Sequence, residues 1–173
     1  MPAPGVLTSD DPDIRFQASV GLSRLEEGLN NAIKAAAAAV EKDPSLPARA
    51  HSLANAYLAY LSSGLLDATG RVHYARLAIQ ALERSESLAP AQSTAVDRAR
   101  CCLLARDYAG CLSVLRRAAD VPERGAEAAL LRMEALHALG RLGELRDAAK
   151  SAQSFARDDP MQQALVTWWA TAP

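Results

Sequence analysis

Residues 32–44 read AIKAAAAAVEKDP and residues 78–90 read AIQALERSESLAP. In each string the first, fifth and eighth positions are small or aliphatic: Ala32, Ala36 and Ala39 in one, Ala78, Leu82 and Ser85 in the other. A proline closes both strings at the same place, Pro44 in one and Pro90 in the other. Residues three, four and seven apart share one face of an α-helix. Small side chains on that face let a second helix approach closely, and proline disfavours helical geometry in the residue before it. Each string therefore reads as a close-packed helix with a defined stop. Cys111, Leu115 and Ala118 repeat the pattern, with Pro122 one place early, and Leu145, Ala149 and Ala152 repeat it with a late Pro160. From Cys111 to Leu145 the interval nearly equals that from Ala78 to Cys111, while that from Ala32 to Ala78 is longer. A nearly fixed interval of this size marks an array of helical units. Against that interval the first one carries an insertion of about 12 residues, at about 60–72.

Outward from these strings, helix signals continue and strand signals are nearly absent. Ser9-Asp10-Asp11-Pro12 supplies an N-cap, negative charge in the first turn and an early proline, followed by Ile14, Ala18, Leu22 and Leu25 at helical spacing. The expected helices are 11–27, 29–42, one opening near Pro47 with Leu53, Tyr57 and Leu61 on one face, 72–87, 92–105, 108–119, 124–139, 142–156 and 161–170. Residues Gly64 to Gly70 read equally as helix extension or loop. Nine helices in antiparallel pairs result, in a single domain over 10–171 preceded by a flexible tail, 1–9. An irregular alanine-rich bundle is the alternative.

Half of the 173 residues are hydrophobic and only 5% are aromatic, a composition suited to closely packed helices. Nineteen basic residues against 20 acidic ones give a net charge of −1, which argues against nucleic acid as a partner. The start Met1-Pro2-Ala3-Pro4-Gly5 lacks the pattern of a signal peptide. The longest stretch without Asp, Glu, Lys or Arg, residues 50–66, holds His51, Asn55 and serines, and it is too polar to span a membrane. Three cysteines in such a chain point to a reducing compartment, with cytoplasm as the expected location, at the inner membrane if a partner or a further N-terminal segment holds the chain there.

The repeated strings resemble the second helix of the tetratricopeptide repeat (TPR). Leu53-Ala54 with Tyr57 is similar to the end of that repeat's first helix; Arg98-Ala99 with Cys102 follows it less closely. The resemblance covers about residues 28–157. It implies an all-α fold: a right-handed α-solenoid of about four TPR-like helix pairs with a C-terminal capping helix. Asp11-Pro12-Asp13-Ile14-Arg15 with Ala18, Leu22 and Leu25 resembles instead the second helix of a HEAT-type repeat. More narrowly, Ala56-Tyr57-Leu58-Ala59-Tyr60 with Gly64-Leu65 and Tyr74-Ala75-Arg76-Leu77-Ala78 resembles the cytoplasmic repeat region of PelE-type exopolysaccharide biosynthesis proteins. That family has a membrane-spanning portion ahead of its repeats.

TPR-like arrays are protein-binding scaffolds, and the resemblance implies a partner that is another protein or peptide. The first helix of each pair lines a groove there, which places His51, Asn55, Arg100, Glu134 and His137 on it; the bland reading is that these are ordinary solvated positions. Only Asn55 and Arg100 fit the family's carboxylate-clamp variant. Trp168 and Trp169 in the last helix read either as the cover over an open core end or as an interaction anchor. Cys101, Cys102 and Cys111 have no CxxC spacing and no neighbouring histidine, so they read as buried thiols rather than as zinc ligands or redox groups. No catalytic residue, cofactor or metal is expected. The expected function is a non-catalytic interaction scaffold or adaptor, in the narrower version the soluble part of a Pel-type membrane complex. A chaperone for a secretion-system client is the alternative. A homo-oligomer is compatible with both.

Overall fold

The computed structural model describes residues 11–89, 94–117, 125–152 and 160–171. Among these the chain is helical apart from short turns and loops and has no strand. It forms two compact units, one ending at Leu88 and one beginning at Ala89.

The first unit holds three helices: α1 (Pro12–Lys42), α2 (Pro47–Ser62) and α3 (Ala68–Leu88). α2 packs against both of the others. Asp11 caps α1, accepting a hydrogen bond from the Asp13 amide at 2.9 Å, and Pro12 opens the helix. The expected break between residues 27 and 29 is absent, and 31 residues run as one helix. The reason is local: a side chain at Gly28 would meet nothing within 4 Å, so this glycine answers no packing demand. Its cost of about 1 kcal/mol relative to alanine is too small to end a helix that continues into an alanine run. Eight helices are therefore present among the described residues where nine were expected.

α1 is about 46 Å long and α2 about 24 Å at 1.5 Å per residue. The end of α2 is marked by the Tyr60 hydroxyl, which donates to Glu26 Oε1 at 3.1 Å. Beyond that point α1 runs on, and Ile14, Phe16 and Leu25 are exposed, Phe16 by 70%. The ambiguous residues 64–70 divide between loop and helix. Gly64 takes a left-handed conformation at φ 74°. Asp67 then starts α3, accepting from the Gly70 amide at 2.7 Å.

The second unit holds α4 (Ala95–Leu104), α5 (Tyr108–Arg117), α6 (Gly125–Ala138), α7 (Leu142–Ala152) and α8 (Pro160–Thr171). Each packs against the next, and α4 also meets α6. Its two described hairpins turn in the same way. After α4, Arg106 sits at φ 63°, its amide donates to the Leu103 carbonyl, and the Asp107 amide reaches the Cys102 carbonyl at 2.8 Å. After α6, Gly140 sits at φ 68°, its amide donates to the His137 carbonyl, and the Arg141 amide reaches the Leu136 carbonyl at 3.0 Å. This is the left-handed helix cap that satisfies the last carbonyls of a helix. From Arg106 to Gly140 the chain covers the same interval that separates Cys111 from Leu145.

The repeated small-residue face is the packing face. Ala78, Leu82 and Ser85 are at most 1% exposed, Cys111 and Leu115 are buried, and Leu145, Ala149 and Ala152 are at most 3% exposed. The fourth copy, the weakest by residue type, is packed as tightly as the second. The first copy is the outlier: Ala32 is exposed and Ala36 and Ala39 are only half-buried, and the buried residue of α1 is Val40 instead. Ser85, a polar residue at a small position, is buried without penalty because its hydroxyl donates to the Pro47 carbonyl at 3.1 Å. The insertion is also accounted for. α3 opens at Ala68, well ahead of Ala78, whereas α5 opens at Tyr108, one turn before Cys111, and α7 at Leu142, one turn before Leu145. Most of the insertion has therefore become extra helical turns at the start of α3.

The tail over 1–9, Pro90, Pro122 with Ala118, and Asp158-Asp159 lie outside the described residues, as do the expected helix ends at 118–119 and 153–156.

Candidate functional surfaces

The five expected groove residues fall on both units. On α2, Asn55 is exposed, and His51 is half-buried with an enclosed Nδ1 that has no hydrogen-bond partner among the described residues. On α4, Arg100 is half-buried and pairs with Glu127 of α6. That pair is partly solvated, so it holds α4 to α6 by no more than about 1 kcal/mol. It also occupies the side chain that was expected to meet a ligand. On α6, Glu134 and His137 are both exposed and one turn apart.

His137 has a neighbour that no spacing in the sequence announces. Its ring meets Trp169 of α8 edge-on, at 4.5 Å between centroids and 68° between planes. Trp168 meets Trp169 in the same manner at 4.8 Å and 73°. Edge-to-face contact sets the positive rim of one ring against the negative face of the other. Trp169 is half-buried in this arrangement, while Trp168 remains 58% exposed. Trp169 packs against His137, and Trp168 stands exposed.

A second aromatic cluster occupies the lengthened α2–α3 hairpin. Tyr74 lies 5.9 Å from Tyr57 and 4.8 Å from Tyr60, and His73 stands edge-on to it at 5.3 Å. Burial pushes the phenol pKa of Tyr60 upward, and the carboxylate of Glu26 adds to the effect. Burial does the same at Tyr57, with Tyr74 contributing. These phenols stay neutral and serve packing. Elsewhere in the first unit Val40, Leu53, Tyr57, Leu77, Gln80 and Arg84 line an open, mostly apolar trough of about 210 Å³. Arg84 is held at its rim by a hydrogen bond to the Pro44 carbonyl, 3.1 Å.

All three cysteines are buried and free. Burial pushes the thiols of Cys101 and Cys111 up to about 12 and raises that of Cys102 as well. At Cys111 the neighbouring Cys102, Glu134 and Asp107 add to the burial effect. Thiolates are the nucleophilic and metal-binding form, and this environment suppresses them. Among the described residues no group of three His, Cys, Asp or Glu side chains is placed to hold a metal ion. Nor is any helix among them long and apolar enough to cross a membrane.

In the second unit, Arg116, Arg132 and Arg141 converge on one pocket. They come from α5, α6 and the α6–α7 turn and share no spacing, so only the fold brings them together. Compared with family models, curated proteins and solved structures, the chain matches none of them.

Proposed function

We propose that this chain is a non-catalytic interaction scaffold that binds another protein or peptide. The observation that carries this reading is Trp168. A tryptophan left 58% exposed, yet fixed by a ring contact to a half-buried neighbour, is an ordered apolar projection. Such residues dominate binding energy where they enter a partner's pocket. Asn55, Glu134 and His137 supply exposed polar groups on the same helices that the tetratricopeptide resemblance assigns to a groove. The raised thiol pKa values argue against catalysis by the cysteines. A right-handed solenoid over the whole chain is part of the same proposal and rests on the resemblance together with the recurrence of the left-handed turn at the repeat interval. The narrower placement in a Pel-type exopolysaccharide complex rests on residues 56–78 alone.

The full chain, used as bait in its native host, is expected to retain one protein in a fixed stoichiometry. Calorimetric titration with that protein then separates the surfaces. Alanine at His51 and Asn55, or at Glu134 and His137, weakens the complex if the groove binds. Unchanged affinity in both double variants excludes the groove.

A further inference from the structure

The pocket shared by Arg116, Arg132 and Arg141 has a volume of about 100 Å³ and a floor of leucines, Leu112, Leu115 and Leu136. Its fourth charged residue, Glu144, is engaged by Arg141 through two hydrogen bonds, Nε to Oε1 at 2.7 Å and Nη2 to Oε2 at 2.6 Å. That pairing fixes the Arg141 guanidinium at the pocket edge. Arg116 and Arg132 are exposed and make no hydrogen bond or ion pair among the described residues. Three guanidiniums against one carboxylate leave the lining with an excess of two positive charges. Water screens the repulsion between the exposed Arg116 and Arg132, so both stand ready to meet an anion without first breaking another contact among the described residues.

We propose that this pocket binds a phosphate monoester, carried on a phosphorylated serine or threonine of a peptide. A phosphoryl group brings a charge of about −1.5 to −2 and three strong acceptor oxygens. That charge matches the excess on the lining. Two exposed guanidinium forks, unpaired among the described residues, suit oxyanion geometry, since each offers parallel N–H donors. A single carboxylate would neutralise only half of the excess. Leu112, Leu115 and Leu136 are buried core residues, so they close the base of the pocket and leave the phosphoryl group to the arginines at its mouth. The site deepens the scaffold reading and rests on it in assigning the phosphate to a peptide.

The test uses the full chain and fluorescence polarisation with a fluorescein-labelled peptide, Ala-Leu-phosphoserine-Leu-Ala. Matched peptides carry serine or glutamate at the centre, and a further arm uses phosphatidylcholine vesicles containing phosphatidic acid. The phosphopeptide is expected to bind saturably and the serine peptide not at all. Arg116→Gln and Arg132→Gln should each weaken binding by roughly tenfold, the loss of one charge-assisted contact. Both side chains are exposed, so circular dichroism should match that of the unaltered chain. The proposal is overturned if the phosphopeptide fails to bind, binds no better than the glutamate peptide, or binds the two variants equally well. Binding to the vesicles in place of the peptide overturns it too. A chain that takes the phosphopeptide but retains no partner protein contradicts the scaffold reading and leaves the pocket standing. A partner complex that survives both arginine changes in a chain that ignores the phosphopeptide does the reverse.

Discussion

Arg106 closes α4 as Gly140 closes α6 one repeat interval later, at φ 63° against 68°. A left-handed conformation costs an ordinary L-residue about 1–2 kcal/mol, and glycine almost none. Replacing Arg106 by glycine should therefore raise stability by several tenths to about 1 kcal/mol, measured as a higher denaturant midpoint. A lower midpoint would show that the Arg106 side chain contributes more than its backbone costs. Gly110 has the opposite constraint. A Cβ there would collide with the Asp107 carboxylate, which caps α5 by accepting from the Gly110 amide at 2.8 Å. Gly110→Ala must displace that side chain and with it the cap, and should cost about 0.5–2 kcal/mol, the usual range for losing one, seen as a melting temperature lowered by a few degrees.

The thiols have a pH signature. Their folded pKa is raised, so they contribute stability that is fully present below the unfolded value, near 9, and lost as pH climbs toward about 12. Denaturant titrations should show stability falling across that window, and Cys101→Ala with Cys111→Ala should flatten the fall. At neutral pH a thiol reagent should modify these groups only as fast as the chain opens. Rapid stoichiometric labelling of the native protein would contradict the burial that causes the shift.

At the scale of elements, α1 combines a packed half and an unpacked one. Its later turns lie along α2, and its first turns extend past Tyr60 with Phe16 and Ile14 exposed. Phe16→Ala should change stability by less than about 0.5 kcal/mol. Leu82→Ala, at a position with no exposure, should cost about 3 kcal/mol. Amides of residues 13–25 should exchange faster than those of α3. The helices themselves were legible because the packing face repeats. Ala78, Leu82 and Ser85 announce a buried stripe by spacing, whereas the start of α3 at Asp67, where the carboxylate accepts from the Gly70 amide, lay inside the residues 64–70 that read equally as helix or loop. The continuity of α1 was not legible, since a glycine such as Gly28 breaks a helix only where packing asks it to. The tight packing of Leu145, 2% exposed, was also hidden, because a leucine at a position that is small in the other copies does not announce whether the facing helix leaves room for it.

For the molecule as a whole, the residues with most to offer a partner are those the fold assembles from distant positions. His137 and Trp169 meet across α6 and α8, and Arg116, Arg132 and Arg141 meet across three elements. Neither grouping has a sequence spacing to betray it. Of the groove residues named by resemblance, Asn55, Glu134 and His137 are exposed, while Arg100 is engaged by Glu127. Both tryptophans belong to the second unit, so intrinsic fluorescence follows its unfolding. Leu136→Ala, which opens a cavity in a core position 1% exposed, should lower the fluorescence midpoint by the equivalent of about 2–4 kcal/mol.

The claim that this chain acts by holding another protein stands or falls most directly on Trp168. The measurement is the dissociation constant of the isolated partner for the unaltered chain and for Trp168→Ala, with circular dichroism confirming the fold of both. Loss of an exposed anchor should raise the constant by roughly 30-fold or more, the equivalent of about 2 kcal/mol, with stoichiometry unchanged. Equal affinity for the two chains would contradict the account.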